Sequence, residues 1–160
     1  MSFSGEIKKE LAGRIGESRH CRLAELSAII VFAGKISALN GGISFRPESG
    51  NPMLKEKFAR LISLLFSIDR EWETLQGDDV FQILEGVKVW DRQRGCFLNT
   101  ETADGLLIQQ PCCKRAYIRG AFLSSGSVSD PGKAYHFEIV CRTAAQSVQL
   151  QHAINSFDID

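Results

Sequence analysis

The side chains able to act as soft metal ligands or nucleophiles are five cysteines, Cys21, Cys96, Cys112, Cys113 and Cys141, and three histidines, His20, His136 and His152. Zinc motifs pair their ligands as Cys-x-x-Cys or at similar fixed spacings, and none occurs here. On spacing alone zinc is a poor fit, no metal or cofactor is expected, and reduced thiols are the default in a cytosolic setting. Cys21 and Cys113 hold equivalent places in a repeat and read as small buried residues at two helix starts. The histidines have no paired nucleophile or second ligand identifiable from the sequence, so they read as surface or structural groups.

The remaining chemistry-bearing groups are charged. Lys35, Arg46, Lys114, Arg115 and Arg119 are candidate DNA contacts. Lys plus Arg equals Asp plus Glu at 19 each, however, so the chain lacks the general positive charge by which proteins neutralise phosphates, and any basic patch must be local. Residues 69–85 carry Asp69, Glu71, Glu73, Asp78, Asp79 and Glu85 against Arg70 alone. Two readings stand side by side: a solvated face, or an acidic docking surface formed by Glu71, Glu73, Asp78 and Asp79.

These groups are carried by a repeated unit. Residues 23–37 overlay residues 115–129 without a gap, 92 positions apart. Each copy is an apolar helix followed by a β-type run, and Gly34 and Gly126 are expected to supply the left-handed turn that stops the helix. Small residues recur every fourth position, Ala24 and Ala28 in one copy and Ala116, Gly120 and Ser124 in the other, which predicts a close helix-pair interface. Phe58, Leu61, Ile62 and Leu65 fall opposite Leu150, Ala153, Ile154 and Phe157 at the same offset. That continuing register argues for a true repeat about a pseudo-two-fold axis rather than two unrelated core helices.

The order predicted is α-β-β-α-β-β-α. An amphipathic helix in residues 1–20 carries Phe3, Ile7, Leu11 and Ile15. The first repeat covers 21–94, with a hairpin around Asn40-Gly41-Gly42, a helix begun by Asn51 and Pro52, a second hairpin from 70–75 and 80–84, and a short helix near 86–92. Residues 95–111 read as a connector. The second repeat, 112–160, has its motif helix, a turn through Asp130-Pro131-Gly132-Lys133, a strand over 135–141 and a helix from Thr143. It is expected to be incomplete by one hairpin. At 160 residues and 44% hydrophobic content the chain can bury a substantial core. No signal peptide is visible, nor any apolar run of the about 18 residues a membrane span requires.

Segments 26–34 and 118–126 resemble degenerate LAGLIDADG motifs of homing endonucleases. The opening Met1-Ser2-Phe3-Ser4, the run Cys112-Cys113-Lys114-Arg115-Ala116-Tyr117, then Arg119-Gly120-Ala121-Phe122-Leu123 and Gly126-Ser127-Val128-Ser129-Asp130-Pro131 are similar to the WhiA family of bacterial regulators. The resemblance covers essentially the whole chain. It implies an α+β, LAGLIDADG-like fold and a role in transcription control linked to sporulation, cell division and chromosome segregation. It also implies a C-terminal helix-turn-helix domain, absent from this chain, as the main DNA reader. A cytoplasmic, nucleoid-associated protein with DNA and a possible regulatory protein as partners, and no membrane, is the corresponding expectation.

In the endonucleases an acid just before each motif's last glycine holds the divalent ion that hydrolysis needs. The matching positions here are Ala33 and Ser125. Glu25 lies eight residues back, about 12 Å along a helix axis, and Asp130 has no counterpart in the first copy. No enzymatic activity is expected. Two other functions stay open, a protein-interaction scaffold without DNA contact and an active endonuclease.

Overall fold

Apolar residues at helical spacing, punctuated by caps, set out most of the chain in the computed structural model, which describes residues 3–39, 42–47, 51–129, 132 and 136–157. Helix α1 (Phe3–Ala12) stops at Gly13, so Ile15 falls in the link to α2 (Arg19–Ala33) rather than on the helix. The first hairpin forms as expected from β1 (Gly34–Leu39) and β2 (Gly42–Pro47), antiparallel with Ser37 opposite Ser44. Its turn residues Asn40 and Gly41 lie outside the described residues. Helix α3 (Pro52–Phe66) begins where Asn51 accepts the Met53 N–H at 2.9 Å and Pro52 presets the first turn.

The expected second hairpin is a helix. A 3-10 turn at Trp72–Thr74 leads into α4 (Gly77–Gly86). Val80, Ile83 and Leu84 recur at helical spacing and are buried, and the Gln76 and Asp79 side chains cap the start reciprocally. The pair Asp78 and Asp79, read from the sequence as a turn, is the acidic first turn that a helix dipole favours. The expected helix near 86–92 is instead a hairpin of β3 (Trp90–Asp91) and β4 (Cys96–Phe97). Asp91 Oδ1 accepts the N–H groups of Gln93 and Arg94, and Gly95 turns the chain at φ 63°. Trp90 packs edge-on against Phe81 and Phe97, at 5.5 and 5.1 Å between ring centres, which holds the hairpin to α4. From α2 to β4, a strand that lies just past the expected end of the first repeat, the order therefore runs α-β-β-α-α-β-β within the α+β class.

The connector begins with β4 and contains a second 3-10 turn at Gly105–Ile108. Then come α5 (Pro111–Ser125), β5 (Gly126–Val128), β6 (Phe137–Ile139) and α6 (Ala144–Asn155), whose Thr143 cap accepts the Gln146 N–H at 3.1 Å. Asp130, Pro131, Lys133 and Tyr135 lie outside the described residues. Among the described residues the strands form three separate two-stranded antiparallel ladders.

Helix α2 is buried from Ala24 to Ala33 because, Glu25 and Ser27 apart, this stretch is apolar and covered on opposite sides. Leu26, Ile29, Ile30 and Ala33 join Phe45, Phe58, Leu61 and Ile62 in the larger core. Ala28, Val31 and Phe32 join Tyr117, Ala121, Leu150 and Ala153 in a second one. Buried Gln146 ties the two halves, donating to Val31 O at 2.9 Å and Glu101 O at 2.8 Å. Gln149 holds the connector by exchanging hydrogen bonds with the backbone of Ala103 at 2.7 and 2.9 Å.

The glycines that close the motif helices act differently from the expectation. Gly34 and Gly126 are extended, with φ −83° and −94°, not left-handed. What they supply is space: a Cβ would come within 2.2 Å of the Phe45 ring at Gly34 and within 2.2 Å of the Phe122 ring at Gly126.

Candidate functional site

The two motif helices pack with their N-termini together. Ala24 clusters with Cys113 and Ala116, Ala28 with Tyr117 and Ala121, and Gly120 crosses the α2 backbone. A Cβ on Gly120 would lie 2.6 Å from Glu25 O and 2.9 Å from Ala28 Cβ, so the approach is too close for any side chain. Ser124 is half-buried and its hydroxyl donates to Gly120 O at 2.8 Å, within its own helix.

At that crossing the structure places a charge network that sequence reasoning missed. Glu25 is fully buried, with Lys57 Nζ 3.2 Å from its Oε1 and the Arg119 Nε paired with its Oε2. Lys57, also fully buried, donates to Leu11 O at 3.1 Å and to Arg14 O, which anchors the end of α1. Burial pushes the Lys57 ammonium below its ordinary range, and the Glu25 carboxylate partly offsets this. Arg119 is therefore an internal ion-pair partner rather than a free DNA contact. A signal existed: Lys57 shares the helical stripe of Leu54, Phe58 and Leu61, and a charge on an apolar stripe needs a buried partner.

The ends of the helices are where the endonucleases hold their ion. Ala33 is 4% exposed and offers only a methyl group. Ser125 Oγ donates to Val140 O at 2.8 Å, and the Arg142 guanidinium donates to Gly34 O. A hard divalent cation wants anionic oxygens, so these residues do not fit one, and no hydrolytic step can be derived through it.

The other candidate contacts are dispersed. Lys35 is exposed just beyond the C-terminal end of α2, whereas Lys114 and Arg115 sit on the first turn of α5, at the opposite end of the pair. Arg115 lies over the Phe157 ring at 5.5 Å. Arg46 is on β2, and its side chain lies outside the described residues. Two cations offset about half the charge of the acidic surface: Lys55 Nζ reaches Glu71 at 3.3 Å and Glu73 at 2.7 Å, and Asp79 pairs with Arg70. Lys55 holds the Glu73 carboxyl below its usual range, and the Gln76 N–H, with help from Arg70, does the same for Asp79. Asp78 is exposed at a cleft it shares with Arg19, Phe81, Trp90 and Arg92.

The helix starts hold the second feature missed by spacing rules. His20 and Cys21 on α2 meet Cys112 and Cys113 on α5, and their four ligand atoms all lie within 4.8 Å of one another. His20 Nδ1 is 3.1 Å from Cys113 Sγ, 3.6 Å from Cys21 Sγ and 3.9 Å from Cys112 Sγ. Cys113 is buried, and its thiol is pushed up to about 11 by that burial and by the thiols of Cys112 and Cys21. His20 thus stands beside three thiols that spacing rules did not identify as its neighbours. The same 92-residue offset that matches Cys21 to Cys113 also matches His20 to Cys112, and that was the available signal. His136 and His152 are exposed.

Residues 19–80 match the WhiA N-terminal LAGLIDADG-like domain, and residues 114–160 match the WhiA LAGLIDADG-like domain. The probable cell division protein WhiA of Lachnospira eligens is 34% identical over 175 residues, covering 100% of this chain and 55% of that protein. Its namesake in Lachnoclostridium phytofermentans is 35% identical over 176 residues, with 100% and 56% covered. The chain thus spans little more than half the length of these curated relatives. The crystal structure of full-length DUF199/WhiA from Thermatoga maritima superposes with a TM-score of 0.65 at 19% identity, over 98% of this chain and 51% of that one. The N-terminal LAGLIDADG domain of DUF199/WhiA superposes with a TM-score of 0.62 at 20% identity, over 98% and 75%. These likenesses bear out the LAGLIDADG-like α+β fold. With both halves matched by domains of one family and whole-chain relatives of the same name, the chain belongs to the WhiA family.

Proposed function

We propose that this domain is a non-catalytic LAGLIDADG-like module of a WhiA-type cell-division regulator that controls transcription, with sporulation and chromosome segregation as linked processes. One observation carries the reading: the two helix ends that hold the catalytic ion in endonucleases here carry Ala33 and Ser125, whose hydroxyl is committed to Val140 O at 2.8 Å. No pair of anionic oxygens from the motif helices meets there, which supports the non-catalytic reading.

The split between Lys35 at one end and Lys114 and Arg115 at the other supports weak, non-specific DNA contact, with sequence readout left to a helix-turn-helix of the kind the resemblance implies. Such a protein would work in the cytoplasm, on the nucleoid. Withdrawal of Arg119 into an ion pair with Glu25 favours the second reading, a protein-interaction scaffold with no DNA contact. Fluorescence anisotropy on random duplex DNA at several salt concentrations separates the two. The regulator reading predicts salt-dependent binding in the range of about 10⁻⁴ to 10⁻⁶ M at physiological salt; binding absent even at low salt leaves the scaffold. Nanomolar sequence-selective binding, or plasmid cleavage with magnesium or manganese that stops with chelator, would overturn the proposal.

A further inference from the structure

We propose that His20 Nδ1 and the Sγ atoms of Cys21, Cys112 and Cys113 form a closed four-coordinate zinc(II) site that staples the N-termini of α2 and α5. This goes beyond the regulatory reading and does not depend on it. One His with three Cys is an established structural zinc set, with Zn–S about 2.3 Å and Zn–N about 2.0 to 2.1 Å. Tetrahedral geometry with those bonds separates neighbouring ligand atoms by about 3.5 to 3.8 Å. The distances from His20 Nδ1 to the three sulfurs, 3.1, 3.6 and 3.9 Å, straddle that value, and no ligand pair exceeds 4.8 Å. Rotamer adjustments of well under an ångström at each side chain therefore suffice.

The ligands also come in a pattern that chance thiols would not share. Each repeat contributes the second and third residues of its motif helix, so one adjacent pair faces its pseudo-symmetric counterpart. Ala24 and Ala116 pack directly beneath, and their small size lets the two pairs converge. The α1–α2 link folds over the site: Arg22 Nε donates to Gly16 O at 2.7 Å, and a Cβ on Gly16 would come within 2.9 Å of Cys21 Cβ. Three thiolates around zinc leave one excess negative charge. Two helix N-termini, with Arg19, Arg22, Lys114 and Arg115 next to the ligands in sequence, offset it. Cys113 is buried while His20 is exposed, so the imidazole side is the entry path.

The test uses the 160-residue chain made in zinc-replete medium and purified under reductant. Elemental mass spectrometry should find one zinc per chain, and cobalt(II) in its place should show the intense visible absorption of a tetrahedral thiolate site. Cys21→Ser and Cys112→Ser should lose the metal, weakening affinity by more than the roughly 10- to 100-fold that follows loss of mere supporting contacts. His20→Cys should keep zinc, since four thiolates are also a structural set, and Cys96→Ser and Cys141→Ser should keep it too. If the serine variants do not fold, the wild-type cobalt spectrum and the His20→Cys occupancy decide. Folded wild-type protein without stoichiometric zinc, zinc retained in both serine variants, or an acid-trapped Cys21–Cys113 disulfide in place of metal overturns the assignment.

Discussion

Replacing Gly120 by alanine tests whether the helix crossing is as tight as its geometry indicates. Two opposing effects act. Alanine is the better helix former by about 0.8 to 1.0 kcal/mol, so a glycine inside α5 with room around it would gain stability on substitution. Here the new methyl would meet Glu25 O at 2.6 Å and Ala28 Cβ at 2.9 Å. The first of these is backbone of a buried helix and gives way only if α2 and α5 separate, which also stretches the Arg119–Glu25 pair beside it. Overpacking of this kind costs about 1 to 3 kcal/mol, and the rigid neighbour argues for the upper half of that range. The net expectation is a loss of about 1 to 2 kcal/mol, or roughly 2 to 8 °C in Tm for a domain of this size. Urea titration of Gly120→Ala against Gly77→Ala provides the control, because a Cβ at Gly77 meets nothing within 4 Å. A Gly120→Ala protein as stable as wild type, or more so, would refute the close approach.

The Glu25–Lys57 pair should behave as a unit: Glu25→Gln alone costs about 3 to 5 kcal/mol, because it strands a buried ammonium. The double variant with Lys57→Met should lose less than the sum of the two single losses by about 0.5 to 3 kcal/mol; simple additivity in urea melts would show that the charges do not interact. Asp79→Ala should cost about 0.5 to 2 kcal/mol at neutral pH by uncapping α4. Because the folded state holds the Asp79 carboxyl below its ordinary 3.8, that stabilisation is complete above 3.8 and disappears as pH falls through the lower folded value. Denaturation at a series of pH values should therefore show variant and wild type converging in acid, and a pH-independent gap would exclude the ionised cap.

The elements set by local period and capping were legible in the sequence: the two motif helices, the first hairpin, the Asn51-Pro52 start of α3 and the Thr143 start of α6. The small-residue stripe, too, follows from types and spacing alone, as does the lack of carboxylates at Ala33 and Ser125. The α4 segment was misread because Asp78 and Asp79 suit a turn as well as a first helical turn, and only burial of Val80, Ile83 and Leu84 together on one face separates the two. Whether Gly34 bends the chain or makes room for Phe45 is equally invisible locally, since the ring arrives from another element. Charge roles depend most on tertiary structure. Arg119 looks like a surface cation until Glu25 is seen 94 residues away, and Glu71 and Glu73 look like a docking face until Lys55 is placed beside them. His20 and Cys21 likewise gain neighbouring ligand atoms only when α5 brings Cys112 and Cys113 to the same point. Hydrophobic period and caps act through neighbours in the chain, so sequence determines them; electrostatics and ligation act through space, and the packing of α2 against α5 decides them.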